Sequence, residues 1–142
     1  MTRARRRTSE RGSVTFFGIG LVALMLFAGG FSFDLWRVYS HRRALAETAD
    51  AAAAAGANGI DVDRYRAGEG IWLDPGLAES LAWQNLSEQV DVEALVGLPV
   101  VEASDAAVVV QLNGSLEMTL LAVFADGAFE FAVQAESGPL QS

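Results

Sequence analysis

Paired carboxylates come closest to a reactive pattern in this chain. Asp61 with Asp63, and Asp91 with Glu93, each stand two residues apart, a spacing that suits general acid-base work or calcium binding on a loop or strand face. Neither pair has a histidine near it in sequence, and the chain has no cysteine, so a nucleophile with its base, or a soft-metal cluster, lacks its parts. Pairs of acids also arise wherever a loop or strand face meets water. His41 is the only histidine. Gly68, Glu69 and Gly70 lack the preceding strand and following helix that a phosphate-cradling loop needs. Asn113, Gly114 and Ser115 match a glycosylation sequon, and a tight turn explains them equally well. Arg3, Arg5, Arg6, Arg7 and Arg11 could meet nucleic-acid phosphates, but they stand directly before an apolar run, and topology explains them better. The expectation is a protein that is not an enzyme, with no catalytic residue, cofactor or metal site, no small-molecule substrate and no nucleic-acid partner.

The elements that would position any site begin with charge. Residues 1–43 hold eight arginines against two acids, while residues 44–142 hold two arginines against sixteen acids. A membrane between the two parts is the simplest cause of such asymmetry. Between them lies GSVTFFGIGLVALMLFAGGFSF, residues 12–33, without a charge. As a helix it would measure about 33 Å, against a hydrocarbon core of about 30 Å. The arginines before it place the N-terminus in the cytoplasm and the acidic remainder outside, by the positive-inside rule. Trp36 and Tyr39 suit the interfacial aromatic belt, with Arg37, Arg42 and Arg43 in reach of headgroups. A cleaved secretory signal is the competing reading of an arginine-rich start and an apolar run. The run exceeds the usual h-region of about 7 to 15 residues and lacks a small-residue cleavage site, so an uncleaved anchor is expected.

No proline or glycine interrupts the sequence from Phe31 to Ala55, so the helix is expected to run on to about Ala55, with Gly56 to Gly59 as its stop. Along it Leu35, Val38, Arg42, Leu45, Ala49, Ala52 and Gly56 recur at steps of three or four, a seam of increasingly small side chains. Asp34 stands three residues before Arg37, and the two could pair at the bilayer edge. Over residues 10 to 57 the chain resembles the TadG-like and TadE-like proteins of tight-adherence (Flp) pilus systems. Glu10, Arg11 and Gly12 stand before the span. Asp34, Arg37, Tyr39, Arg42, Leu45, Ala49, Asp50, Ala52 and Gly56 follow in the order and spacing of that family. Ala46 departs from it where a glutamine is common. Phe17 stands where pilin-type signals resemble an acid after the glycine, which favours the uncleaved TadG-like branch over the processed TadE-like pseudopilins. The resemblance implies a pilin-like architecture and, as partners, the lipid bilayer with other pilus-assembly membrane proteins or copies of the chain itself.

Outside the span, residues 61–70 read as a polar loop. Asp74 and Pro75 then open a second helix with Leu77, Leu81, Leu86 and Val90 near one face. Alternation of Val90, Val92 and Ala94 suggests a strand, and PVVEA an edge strand. Val108, Val110 and Leu112, then Leu116 to Phe124, then Phe129, Phe131 and Val133 suggest a three-stranded meander. A three-residue NGS loop would pair Leu112 with Leu116, and a two-residue turn at Asp126-Gly127 would pair Phe124 with Phe129. A short helix over 119–125 is the alternative for the middle segment. The expected fold class is α+β: a long N-terminal transmembrane helix continuing outside, a second short helix and a small antiparallel sheet. The expected divisions are a basic tail at 1–11, the span at 12–33, an alanine-rich extension at 34–57 and an outer domain at 58–142. The function expected is that of a single-pass, membrane-anchored structural or assembly protein of a Flp-type pilus or related envelope apparatus. The other class of reading is a secreted or anchored binding domain whose sheet edge captures a ligand or peptide.

Overall fold

A computed structural model describes residues 11–89, 95–117 and 128–139. Its elements are helices α1 (Arg11–Gly56), α2 (Val62–Arg66) and α3 (Pro75–Gln89), and strands β1 (Val100–Ala103), β2 (Val108–Glu117) and β3 (Ala128–Ser137). The fold is α+β.

Helix α1 runs unbroken from the apolar run into the alanine-rich segment. Its 46 residues correspond to about 69 Å. It stops where the sequence supplies a stop: the Asn58 side-chain amide donates to the Ala54 carbonyl at 3.1 Å, and the Gly59 N–H donates to the Gly56 carbonyl at 2.9 Å. The chain then leaves on an excursion closed by a bridge between Ile60 and Leu73. Residues 61–70 are not simply a loop. The Asp61 carboxylate caps α2 by accepting from the backbone N–H groups of Asp63 and Arg64, both at 3.1 Å. Five residues of helix are too short to show an apolar period, so only the cap was available to signal it.

Helix α3 begins as its residues predict. Pro75 takes the first helical position, and Asp74 accepts from Gly76 N–H at 3.0 Å and Leu77 N–H at 3.2 Å. Asp74→Ala is expected to cost about 1 kcal/mol, checked as a lower denaturation midpoint with unchanged slope. The buried face differs from the expected one. Ala78, Ala82 and Leu86 are buried, whereas Leu77 is exposed and Leu81 half-buried. Ala78 takes this face because the start of α3 lies against Gly56 and Gly59 at the end of α1, where a larger side chain would not fit, while Leu86 fills the space farther along. Val90 and the alternating residues 90–94 lie outside the described residues.

The sheet has the order β1-β2-β3, antiparallel throughout. β1 is the expected PVVEA strand. It joins β2 through a turn in which Ser104 N–H donates to the Ala107 carbonyl at 2.8 Å, while the Ser104 hydroxyl accepts from Ala107 N–H at 3.0 Å. The expected turn at NGS is absent. β2 passes straight through Asn113, Gly114 and Ser115 and pairs with β3, setting Leu112 opposite Val133, Gly114 opposite Phe131 and Leu116 opposite Phe129. Phe131 lies over the bare glycine: a Cβ on Gly114 would stand 3.0 Å from its ring and 3.1 Å from Leu45. A glycine inside a strand marks close approach as readily as a turn, and here the approach is by an aromatic side chain. The Asp126-Gly127 turn and the choice between strand and helix at 119–125 fall outside the described residues.

The even-numbered apolar face survives this change of register. Val108, Val110 and Leu112 are fully buried, with Val133, Ala135 and Val101 nearly so. Their cover is Ala49, Ala52 and Ala53 of α1 and Ala78, Ala82 and Leu86 of α3, with Leu45, Trp83 and Phe131 at the margin. The sheet's opposite face is polar, and Gln111 donates to Gln134 across the strands at 3.0 Å.

Candidate interaction site on the long helix

The motif residues of α1 divide between two faces. Successive residues of an α-helix turn by about 100°, which places Leu45, Ala49, Ala52 and Gly56 on one side and Tyr39 and Asp50 about a third of a turn away from it. Burial follows the division: Ala49 and Ala52 have no exposed surface, Gly56 is buried and Leu45 half-buried. Tyr39, Arg42 and Asp50 are exposed. The small residues are therefore occupied within the chain. A Cβ on Gly56 would stand 2.9 Å from the Ala78 carbonyl oxygen and 3.0 Å from Val108.

Beyond the seam, the exposed side of α1 carries Trp36, Tyr39, Arg43, Glu47, Asp50 and Ala54 in a single stripe. Phe33 and Trp36 pack as neighbouring rings, 6.2 Å between centroids. Arg43 donates to Glu47 at 2.8 Å. This hydrogen bond, with the charge of Glu47 second, holds the guanidinium above its ordinary pKa. The pair is exposed to water, where such a contact adds little stability. At the lower end of the seam Asp34 is only 2% exposed and Arg37 is half-buried.

The candidates for chemistry are placed in structural positions. Asp61 and Asp63 form the start of α2, with Asp61 as its cap. Gly68 and Gly70 turn the following loop at φ of 78° and 100°. Asn113 is an exposed strand residue, and His41 is exposed on α1. Asp91 and Glu93 lie outside the described residues. Among the described residues no group of three or more His, Asp or Glu side chains is placed to hold a metal. A groove of about 440 Å³ between the end of α1 and the end of β3 is lined by Ala54, Ala57, Asn58, Ile60 and Ile71 with Ser137 and Gly138, none of them a general acid or base.

Two features escaped sequence reasoning. Gly59 admits α3 so closely that a Cβ there would lie 2.7 Å from the Ala78 backbone; the paired small residues Ala78 and Ala82, four apart, were the available signal. Arg64 ties the α2 excursion to the β1–β2 turn. Its guanidinium lies 3.7 Å from Glu69, 3.8 Å from Asp105 and 5.6 Å from the Trp72 ring centre.

The N-terminal half of α1 completes the geometry. Phe16, Phe17, Leu24, Met25 and Leu26 are all more than half exposed, and the helix has a window of mean hydropathy 2.1 with none of it buried in the protein. Fold and helix together define a class: an α+β domain rooted on one continuous helix whose free half is long and apolar enough to cross a membrane. Residues 12–59, about a third of the chain, match the family described as "Putative Flp pilus-assembly TadE/G-like", so the segment carrying the small-residue seam is similar to that family. No curated protein and no solved structure matches the chain.

Proposed function

We propose that this chain is a membrane-anchored structural component of a Flp-type pilus-assembly apparatus, acting through protein contacts rather than catalysis. The observation that carries the reading is continuity. One helix joins the exposed apolar run to the seam that the family match covers, without a hinge between them. Residues 12–33 are the span, residues 34–57 the extension and residues 58–142 the outer domain. Arg3, Arg5, Arg6, Arg7 and Arg11 hold the N-terminus in the cytoplasm. Because the seam is filled from within, contacts with other assembly proteins or further copies fall on the stripe formed by Tyr39, Arg43, Glu47 and Asp50. Asp34 and Arg37 mark the outer limit of the span.

Topology is tested by labelling, which the absence of native cysteine makes clean. A cysteine at Glu102, exposed on β1, is expected to react with a membrane-impermeant maleimide in intact cells. A cysteine at Thr8 is expected to react only after lysis. The reverse pattern would overturn the orientation.

A further inference from the structure

Helix α2 forms without a core of its own. None of its five residues is buried, and so short a helix is not stable by its hydrogen bonds alone. Its cap and one side chain hold it: Arg64 lies 4.0 Å from Asp61, 3.7 Å from Glu69 and 3.8 Å from Asp105. At about 100° per residue, Val62, Tyr65 and Arg66 fall on the side of α2 opposite Arg64. That side is turned away from the domain: Val62 is 50% and Tyr65 59% exposed, and Arg66 is exposed with them. Tyrosine and arginine beside an apolar residue are what contact surfaces are made of.

Arg66 narrows what can meet this face. Residues 44–142 hold sixteen acids against two arginines. Arg64 is committed to its three carboxylates, and among the described residues Arg66 forms no ion pair. The complement is an acidic surface with an apolar centre, and the chain's own sheet has one. Glu102, Val109 and Glu136 stand in register across β1, β2 and β3. They lie on the polar side of the sheet, because Val108 and Val110 on either side of Val109 point into the core. With strands about 4.8 Å apart, two exposed glutamates flank the half-buried Val109 at about 10 Å from each other. Height agrees as well. Val108 lies against Gly56, which sets this row level with the end of α1, and Arg64 ties α2 to Asp105, three residues beyond Glu102. Row and helix are therefore within about 10 Å of one level, and copies anchored in one membrane hold them at matching heights. Within one copy they do not meet, since Val62, Tyr65 and Arg66 face away from the turn that Arg64 grips.

We propose that the Val62, Tyr65 and Arg66 face of α2 docks on the Glu102, Val109 and Glu136 row of a second copy, with Arg66 between the two carboxylates. The proposal rests on the membrane anchoring argued above. The contact joins two different surfaces, so it repeats head to tail into a ring or a row; two α2 faces meeting would set Arg66 against Arg66. So small a contact is weak between free domains, and confinement to a membrane supplies the local concentration. Its test uses the full chain in phosphatidylcholine vesicles. Chains with Ala67→Cys, next to Arg66, are mixed with chains carrying Val100→Cys, on the sheet face of Glu102, and treated with a short bis-maleimide; no native cysteine interferes. Links between the two kinds of chain are expected several-fold above links between two Ala67→Cys chains. Arg66→Glu in the Ala67→Cys chain is expected to bring them down to that level, and Glu102→Arg with Glu136→Arg in the Val100→Cys chain to restore them. Glu79→Arg with Glu88→Arg, the same change of charge on α3, is expected to restore nothing. Ala67→Cys chains linking to each other as well as to Val100→Cys chains, or restoration by the α3 pair, would overturn the docking. Flotation with the vesicles is read on the same samples. Chains that float but do not link as expected refute the docking alone, whereas chains that do not float refute the anchor and the docking with it.

Discussion

Ala52→Leu is expected to destabilise the outer domain by about 1 to 3 kcal/mol, while Ala54→Leu, the same change on the exposed side of the same turn, is expected to shift stability by less than about 0.5 kcal/mol. Ala52 has no exposed surface and is part of the core with Val108 and Val110 of the sheet. Three extra carbons there must displace the sheet or α3, because the interior is close-packed. At Ala54 the side chain meets water. Leucine is nearly as good a helix former as alanine, so propensity does not separate the two variants and packing alone does. Denaturant unfolding of the full chain in detergent, followed by circular dichroism, measures both. Equal tolerance would mean that the alanine run serves only as a spacer.

A second large effect is expected from the smallest substitution available. Gly59→Ala should cost about 3 kcal/mol, the upper part of the overpacking range, since the new methyl would stand 2.7 Å from the backbone N and Cα of Ala78. Backbone cannot swing aside as a side-chain end can. The lower entropy of the unfolded alanine variant offsets only about 0.4 to 1 kcal/mol. Gly114→Ala makes the comparison, because its neighbours are the far ends of Phe131 and Leu45 at 3.0 and 3.1 Å, and its cost should be no more than about 1 kcal/mol. The same unfolding measurement ranks them. A Gly114 variant less stable than the Gly59 variant would show that α3 does not dock on the end of α1 at this distance.

What could be read from the sequence follows from which forces are local. The long helix, its stop at Gly56 to Gly59, the Asp74-Pro75 start of α3 and the β1 strand depend on neighbouring residues, and all four are found where their residues place them. Strand pairing depends on partners far apart, and there the turn chemistry of Asn113-Gly114 pointed the wrong way. Alternation of apolar residues is the same whether β2 folds back at Gly114 or runs through it, so period alone could not choose. In the structure β2 runs through, with the ring of Phe131 across the glycine. α3 failed for a related reason: the leucine period marked one face, but close approach to α1 selected Ala78 instead. Of the candidate site, the seam was legible as small residues at helical spacing. That its occupant is the chain's own sheet and α3, and not a neighbouring helix, required the tertiary fold.

That occupancy gives the account its central claim: the inner face of α1 holds its own domain, and the outer face is left for assembly. Photocrosslinking in cells tests it most directly, with a benzophenone side chain placed singly at Asp50 and at Leu45, which is half-buried with its tip at Gly114 of β2. The Asp50 position is expected to yield adducts of higher mass, containing a pilus-assembly membrane protein or a second copy of this chain. The Leu45 position is expected to yield only internal links to residues of β2 or β3. Adducts to another chain from Leu45, with none from Asp50, would contradict the account.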